Sequence, residues 1–181
     1  EMLYRERDRL ASYGNAAFVL VAEQNLQAAV DRAVLTARCI GYARSLGNLP
    51  HNYLAIPDMV CYAREMAKEW GLSCKILDQA QLEELGCGGI LAVNQGSANP
   101  AAMIILEWGK AGSGRAKTAL VGKGLLFDSG GYHLKSIDGM KGMHFDMCGA
   151  ANLLETMEMA ARLGYEGELM AALPLAENLI S

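Results

Sequence analysis

The chain has 181 residues, 52% of them hydrophobic and 20% charged, which suits one globular domain, alone or with a piece of another, and excludes disordered, collagen-like and low-complexity classes. Sixteen Lys and Arg against 20 Asp and Glu leave a net charge of −4, so the basic footprint of a nucleic-acid binder is missing and no nucleic-acid partner is expected. No apolar stretch nears the roughly 18 residues of a membrane-spanning helix, so no membrane partner is expected either.

From the start of the chain, residues 17–22 (Ala-Phe-Val-Leu-Val-Ala) read as a short buried strand. Apolar residues then recur near the helical period at Leu26, Ala29, Val30, Ala33, Ala37, Ile40 and Ala43, which predicts a helix over 26–46 with Gly47-Asn48 as its stop. Residues 49–57 form a connector. Pro57-Asp58 opens a second helix with Val60, Ala63, Met66, Ala67 and Trp70 on one face and Gly71 beyond its end. A strand over 73–77, a short helix over 79–85 and a glycine break at 86–89 follow. Residues 102–108 and 118–121 are continuous apolar strands, and the glycine-bearing stretch 109–114 between them suits a hairpin or short crossover. A helix over 146–163, with Ala150, Leu153, Leu154, Met157 and Ala161 inward, precedes a last strand over 167–173. This alternation predicts an α/β fold in which helices cover a largely buried sheet.

The five cysteines, at 39, 61, 74, 87 and 148, include no CxxC pair and suggest no disulfide framework. No secretory leader is visible, so a reducing cytoplasm and small or peptidic ligands are expected.

Glycine and charge coincide in Val121-Gly-Lys-Gly-Leu-Leu-Phe-Asp-Ser-Gly-Gly-Tyr-His-Leu-Lys135 and in Met143-His-Phe-Asp-Met-Cys-Gly-Ala-Ala151. Lys123 and Asp128 lie just past an apolar strand, where open α/β sheets bind ligands. Familiar motifs fail there. Lys117 and Gly124 stand where a Walker A loop needs Gly and Ser or Thr, and Phe127 occupies the first glycine position of a nucleophile elbow around Ser129. Lys117 also stands where the third glycine of a dinucleotide fingerprint belongs. His133 and His144 fit no HExxH helix and read as ordinary histidines. Asp128 and Asp146 could hold Mg²⁺, Mn²⁺ or Zn²⁺, with a lysine steadying an oxyanion. Plain turns with solvated charges suit the same pattern, and Asp146 also sits where a helix N-cap belongs.

Taken together, these two segments resemble the leucine aminopeptidase (cytosol aminopeptidase) family of dinuclear metallopeptidases. The resemblance extends to Asn48-Leu-Pro-His-Asn, to Gln95-Gly-Ser-Ala-Asn-Pro and to residues 174–178, covering nearly the whole chain from about residue 16. It implies a mixed sheet covered by helices, an incomplete catalytic domain of that fold. Residues 1–47 would be the end of an N-terminal domain with a linker helix, and 48–181 the first part of the C-terminal catalytic domain. By the same resemblance Lys123, Asp128 and Asp146 are metal ligands, Asp128 bridging two ions, and Lys135 polarises the scissile carbonyl. Met143 lines the pocket for the substrate's N-terminal side chain, a place a buried core methionine would also explain.

The implied cofactors are two divalent ions per complete site, Zn²⁺ or Mn²⁺ with Mg²⁺ as a further candidate. The implied partners are peptide substrates and, for the parent protein, a homo-hexamer. Lys123 as a ligand must be neutral, so its pKa must fall well below about 10.4. Cys148 stands where the family usually has glycine, which predicts a crowded site or a metal-binding thiol. The family's later Asn-Thr-Asp-Ala-Glu-Gly-Arg motif, with two more carboxylates and an arginine, is not among these residues, so the 181 residues alone are expected to be inactive. The alternative expectation is a non-catalytic structural or regulatory protein that keeps the peptidase fold.

Overall fold

The computed structural model describes residues 19–109, 114 and 117–181. Its elements are α1 (Gln27–Asn48), α2 (Ile56–Trp70), β1 (Ser73–Leu77), α3 (Gln79–Glu84), α4 (Gly88–Asn94), β2 (Ala102–Trp108), β3 (Lys117–Val121) and β4 (Gly124–Asp128). A short α5 (Ile137–Met140), a 3₁₀ turn (Met143–Met147), α6 (Cys148–Arg162) and β5 (Glu168–Asn178) complete them. The predicted mixed sheet under helices is what forms. β1 pairs antiparallel with β2 and β2 with β5, while β3 and β4 both run parallel to β5.

β5 is the organiser. Glu168 to Ala172 pair with β3, and Leu175 to Asn178 pair with β4, so β3 and β4 follow one line along the same edge of β5. The line breaks at Gly122-Lys123, where the Gly122 N–H still donates to Ala172 O at 3.0 Å. β2 lies on the opposite edge of β5 from β3, so these two strands do not pair as a hairpin would; residues 110–113, 115 and 116 between them lie outside the described residues. β3 is also largely exposed, not buried as its apolar letters suggest, because it forms an edge of the sheet.

The core lies between the sheet and α2 and α6. Ile104, Leu106, Leu173 and Leu175 are fully covered and meet Met59, Ala63, Leu154 and Met157. Burial of a side chain of this kind contributes about 1.5–3 kcal/mol. On the other sheet face, Met103 and Ile105 pack with Leu77, Leu82 and Ala101 under α3 and α4. α2 starts as the sequence signals: the Asp58 carboxylate accepts from the Ala55 N–H at 2.8 Å, and Gly71 closes it at φ 72°, in the left-handed region.

Three local expectations change. Residues 19–22 carry no strand, and Val19, Leu20 and Val21 are exposed, since no strand pairs with them; 17 and 18 lie outside the described residues. In α1 only Cys39, Ala43, Leu46 and Gly47 are buried, all in its second half, and Ile40 is exposed. The glycine break ends in a helix, α4, because a following Ile-Leu-Ala-Val run packs against α3 and β5.

Where α1, α2 and α6 meet, the packing turns polar. Glu155 and Glu158 of α6, 3% and 6% exposed, lie beside buried Cys39 of α1. Tyr62 of α2 donates to Glu155 Oε1; Arg162 donates to Glu158 Oε1 at 2.6 Å, its guanidinium 4.3 Å from the Trp70 ring centroid. Burial pushes the Glu155 carboxyl up to about 7, with the Glu158 charge adding to the rise, and the Tyr62 hydrogen bond and Arg162 opposing it. Burial and both glutamates push the Cys39 thiol up to about 11.

A carboxyl whose pKa is raised by folding binds its proton more tightly in the folded chain. Its stability is therefore complete below the ordinary value of 4.5 and is lost as pH rises through about 7. In chelator-treated buffer, Glu155→Gln is expected to add about 2 kcal/mol, or about 5 °C in Tm, at about pH 8. The gain should vanish near about pH 4. Melting curves at the two pH values check this; a gain equal at both, or a loss at the higher pH, contradicts it.

Candidate functional site

The candidate residues converge at the carboxyl ends of the parallel strands β3, β4 and β5, the ligand-binding end of an α/β sheet. Lys123 occupies the break between β3 and β4, and its exposed ammonium donates to Asp146 Oδ2 at 2.7 Å. Two glycines make this approach possible. A Cβ on Gly122 would lie 2.6 Å from Gly149 O, and one on Gly149 would lie 2.8 Å from Lys123 N, closer than real atoms pack. The start of α6 can therefore rest on the strand break, with the Ala150 N–H donating to Lys123 O at 2.8 Å.

Asp146 does not cap α6. It belongs to the 3₁₀ turn, the cap position is Met147, and no side chain caps the helix. Its carboxylate is spent on Lys123 instead.

Asp128 ends β4 directly opposite Asn178, the last residue of β5. Its Oδ1 accepts from the Gly130 N–H at 2.9 Å and from Asn178 Nδ2 at 2.8 Å, and its Oδ2 accepts from the Lys135 ammonium. Burial alone would raise the Asp128 carboxyl, but donation by Lys135, Gly130 and Asn178 outweighs it and holds the pKa below the ordinary value. Lys135 Nζ also lies 3.2 Å from the sulfur of half-buried Met143. Met147, not Met143, is the methionine of this turn that enters the core.

The loop that returns Lys135 to Asp128 turns through left-handed residues at Gly130, Gly131 and His133 (φ 82°, 89° and 53°). Ser129 anchors it. Fully buried, it donates to Asn178 O from its backbone N–H at 3.0 Å and its hydroxyl at 2.8 Å, and its own carbonyl accepts from the Lys135 N–H at 3.2 Å. The structure thus joins Asp128, Lys135 and Met143 in one set of contacts and Lys123 with Asp146 in another.

Sequence reasoning overlooked Ser129 and Asn178 as positioning residues. Ser129 and Asn178 lie inside matched segments that assign them no role of their own; both acquire one from the β4–β5 register. The other matched segments brace the same end of the sheet. His51 of the 48–52 stretch packs its ring 4.7 Å from that of Phe127. In the 95–100 segment, Ser97 and Asn99 donate to buried Glu177 at 2.6 Å and 3.1 Å. His144 packs on Phe145 at 4.0 Å. The Cys148 sulfur lies against Gly47 at the end of α1, where a Cβ would be 2.8 Å away, and burial followed by the Asp146 charge raises its pKa.

The chain also resembles known proteins in sequence and fold. The family described as "Cytosol aminopeptidase family, catalytic domain" matches residues 41–181. A probable cytosol aminopeptidase of Bacillus licheniformis is 40% identical over 158 residues, which are 87% of this chain and 32% of that protein. One from Syntrophotalea carbinolica is 42% identical over an alignment of 183 positions that covers 99% of this chain and 37% of that protein. Among solved structures, the bottromycin maturation enzyme BotP in complex with Mn superposes with a TM-score of 0.83 at 36% identity, over 99% of this chain and 38% of its own. The cytosol aminopeptidase of Coxiella burnetii gives 0.79 at 32% identity, over 86% and 33%. The chain thus spans about a third of the length of the curated relatives it matches. With 141 of its 181 residues matched by the family's catalytic domain, and with the same fold, the chain belongs to the cytosol aminopeptidase family.

Proposed function

We propose that the protein is a metal-dependent aminopeptidase that releases N-terminal residues, leucine-like ones preferred, from peptides. The observation that carries this reading is the pair of aspartates, each held by a lysine, at the carboxyl ends of the parallel strands in a chain of this family. The donor set suits a divalent cation. Asp128 and Asp146 offer hard carboxylate oxygens, and each already carries a cationic partner, so the site is built to hold positive charge. Lys123, Asp128 and Asp146 would hold the metal: Zn²⁺ or Mn²⁺, with Mg²⁺ as a further candidate, and two ions in the complete site.

When bound, such ions supply Lewis acidity and a water nucleophile usable at neutral pH. Lys123 must release Asp146 and its proton to offer a lone pair. Lys135 keeps its proton and donates to the substrate carbonyl oxygen as negative charge gathers there, in a place prepared by the Ser129 anchor. Met143, flexible and apolar beside Lys135, suits the wall of a pocket for a leucine-like side chain. On this reading residues 1–47 are the end of an N-terminal domain and 48–181 the first part of the catalytic one. The protein then acts on peptides in the cytoplasm as a homo-hexamer.

Protein produced as its gene encodes it, loaded with Mn²⁺ or Zn²⁺, is expected to release amino acids from aminoacyl amides and to stop when a chelator is added. No release with either metal, or release untouched by chelation, overturns the reading in favour of a non-catalytic role. At the Lys123, Asp128 and Asp146 site the 181 residues alone should hold at most one ion, weakly, and they should release nothing in the same assay.

A further inference from the structure

The junction of α1, α2 and α6 holds a second group of metal-type donors. Cys39, Glu155 and Glu158 each present one donor atom, and the three atoms lie within 4.8 Å of one another. All three residues are buried. Glu155 carries a separate anomaly: its Oε1 accepts from Tyr62, but its Oε2 is buried with no hydrogen-bond partner. A buried carboxylate oxygen left unpaired is costly, so the site calls for a positive or donating partner.

We infer that Cys39, Glu155 and Glu158 form a structural site for a divalent, borderline-soft cation of the zinc class, pinning α1 and α6 together. One thiolate with two carboxylate oxygens is a donor set that Zn²⁺ and Co²⁺ accept and that hard Mg²⁺ or Ca²⁺ does not favour. Donor atoms that lie within 4.8 Å of one another need only small side-chain adjustments to reach metal–sulfur and metal–oxygen bonds of about 2.3 Å and 2.0–2.2 Å. The Cys39 thiol gives its proton to solvent as the sulfur–metal bond forms. Two carboxylates and a thiolate beside the Arg162 cation leave two negative charges, which one divalent ion neutralises.

The surroundings have the parts such a site needs. Tyr62 and Arg162 orient the two carboxylates from outside, as hydrogen-bonding partners of ligands do. A cavity of about 240 Å³ lined by Arg38, Tyr42, Tyr62, Glu158 and Arg162 gives a path from solvent to Glu158. None of these residues belongs to the aminopeptidase site, so the inference stands or falls apart from that reading.

The test uses Co²⁺ on metal-stripped protein produced as its gene encodes it, read by the thiolate-to-cobalt charge-transfer absorption in the near ultraviolet. The band is expected in the unaltered protein, in Asp128→Ala and in Cys148→Ser, and is expected to vanish in Cys39→Ser. Glu155→Gln keeps the thiol and is expected to fold at least as well, so it serves where Cys39→Ser does not fold; its Co²⁺ affinity should fall by more than about tenfold. Absence of the band from the unaltered protein, its survival in Cys39→Ser, or unchanged affinity in Glu155→Gln overturns the inference.

Discussion

Replacing Lys135 with alanine is expected to lower turnover of an aminoacyl amide by about 10²–10³-fold while the protein keeps its metal. The Lys135 ammonium sits on Asp128 Oδ2 and beside Met143 Sδ, and its backbone is tied to Ser129. It is therefore a mobile cation on a fixed base. A group placed this way could leave Asp128 for the substrate oxygen, since a divalent ion held by Asp128 would balance the carboxylate charge in its place. Because that donation grows stronger as charge develops, the loss should fall on kcat and leave KM nearly unchanged. Removing the ammonium also removes a competitor for Asp128, so metal affinity should hold or rise. Turnover within about threefold of the unaltered enzyme, or loss of metal together with turnover, would show that Lys135 does not act on the reacting carbonyl.

Asp128→Asn should do the opposite: weaken metal binding by well over about a hundredfold and abolish activity at ordinary metal concentrations. Asparagine preserves the shape and can still accept from Gly130 N–H or Asn178, so the 128–135 loop should stay folded. What is lost is the charge that both Lys135 and a divalent ion require. Equilibrium dialysis against Mn²⁺, a harder ion that the Cys39, Glu155 and Glu158 donor set does not favour, measures the effect, with circular dichroism as the check on folding. Metal bound at unaltered affinity by a folded Asp128→Asn protein would remove Asp128 from the ligand set. The contrast between the two substitutions is the sharper result, since they alter neighbouring groups of one ion pair and should separate turnover from metal content.

Local pattern in the amino-acid sequence determined the α/β class, the positions of α2, β1, β2 and α6, and the order of Lys123, Asp128, Lys135, Met143 and Asp146. Period and capping act over a few residues, which is why Pro57-Asp58 and Gly71 bound α2 legibly and why 73–77 and 102–108 read as strands. Tertiary structure alone decided that β3 and β4 lie along one edge of β5, because pairing with residues some fifty positions later leaves no periodic trace in either segment. That pairing sets Asp128 opposite Asn178, hangs the Lys135 loop from Ser129 and breaks the strand line at Lys123. It also turned Asp146 from a helix cap into the partner of Lys123, since a carboxylate goes to the strongest donor that packing brings within reach. The Cys39, Glu155 and Glu158 junction is the extreme case. Each looks ordinary on its own helix, and only the docking of α1 on α6 places a thiol and two carboxylates in one buried space.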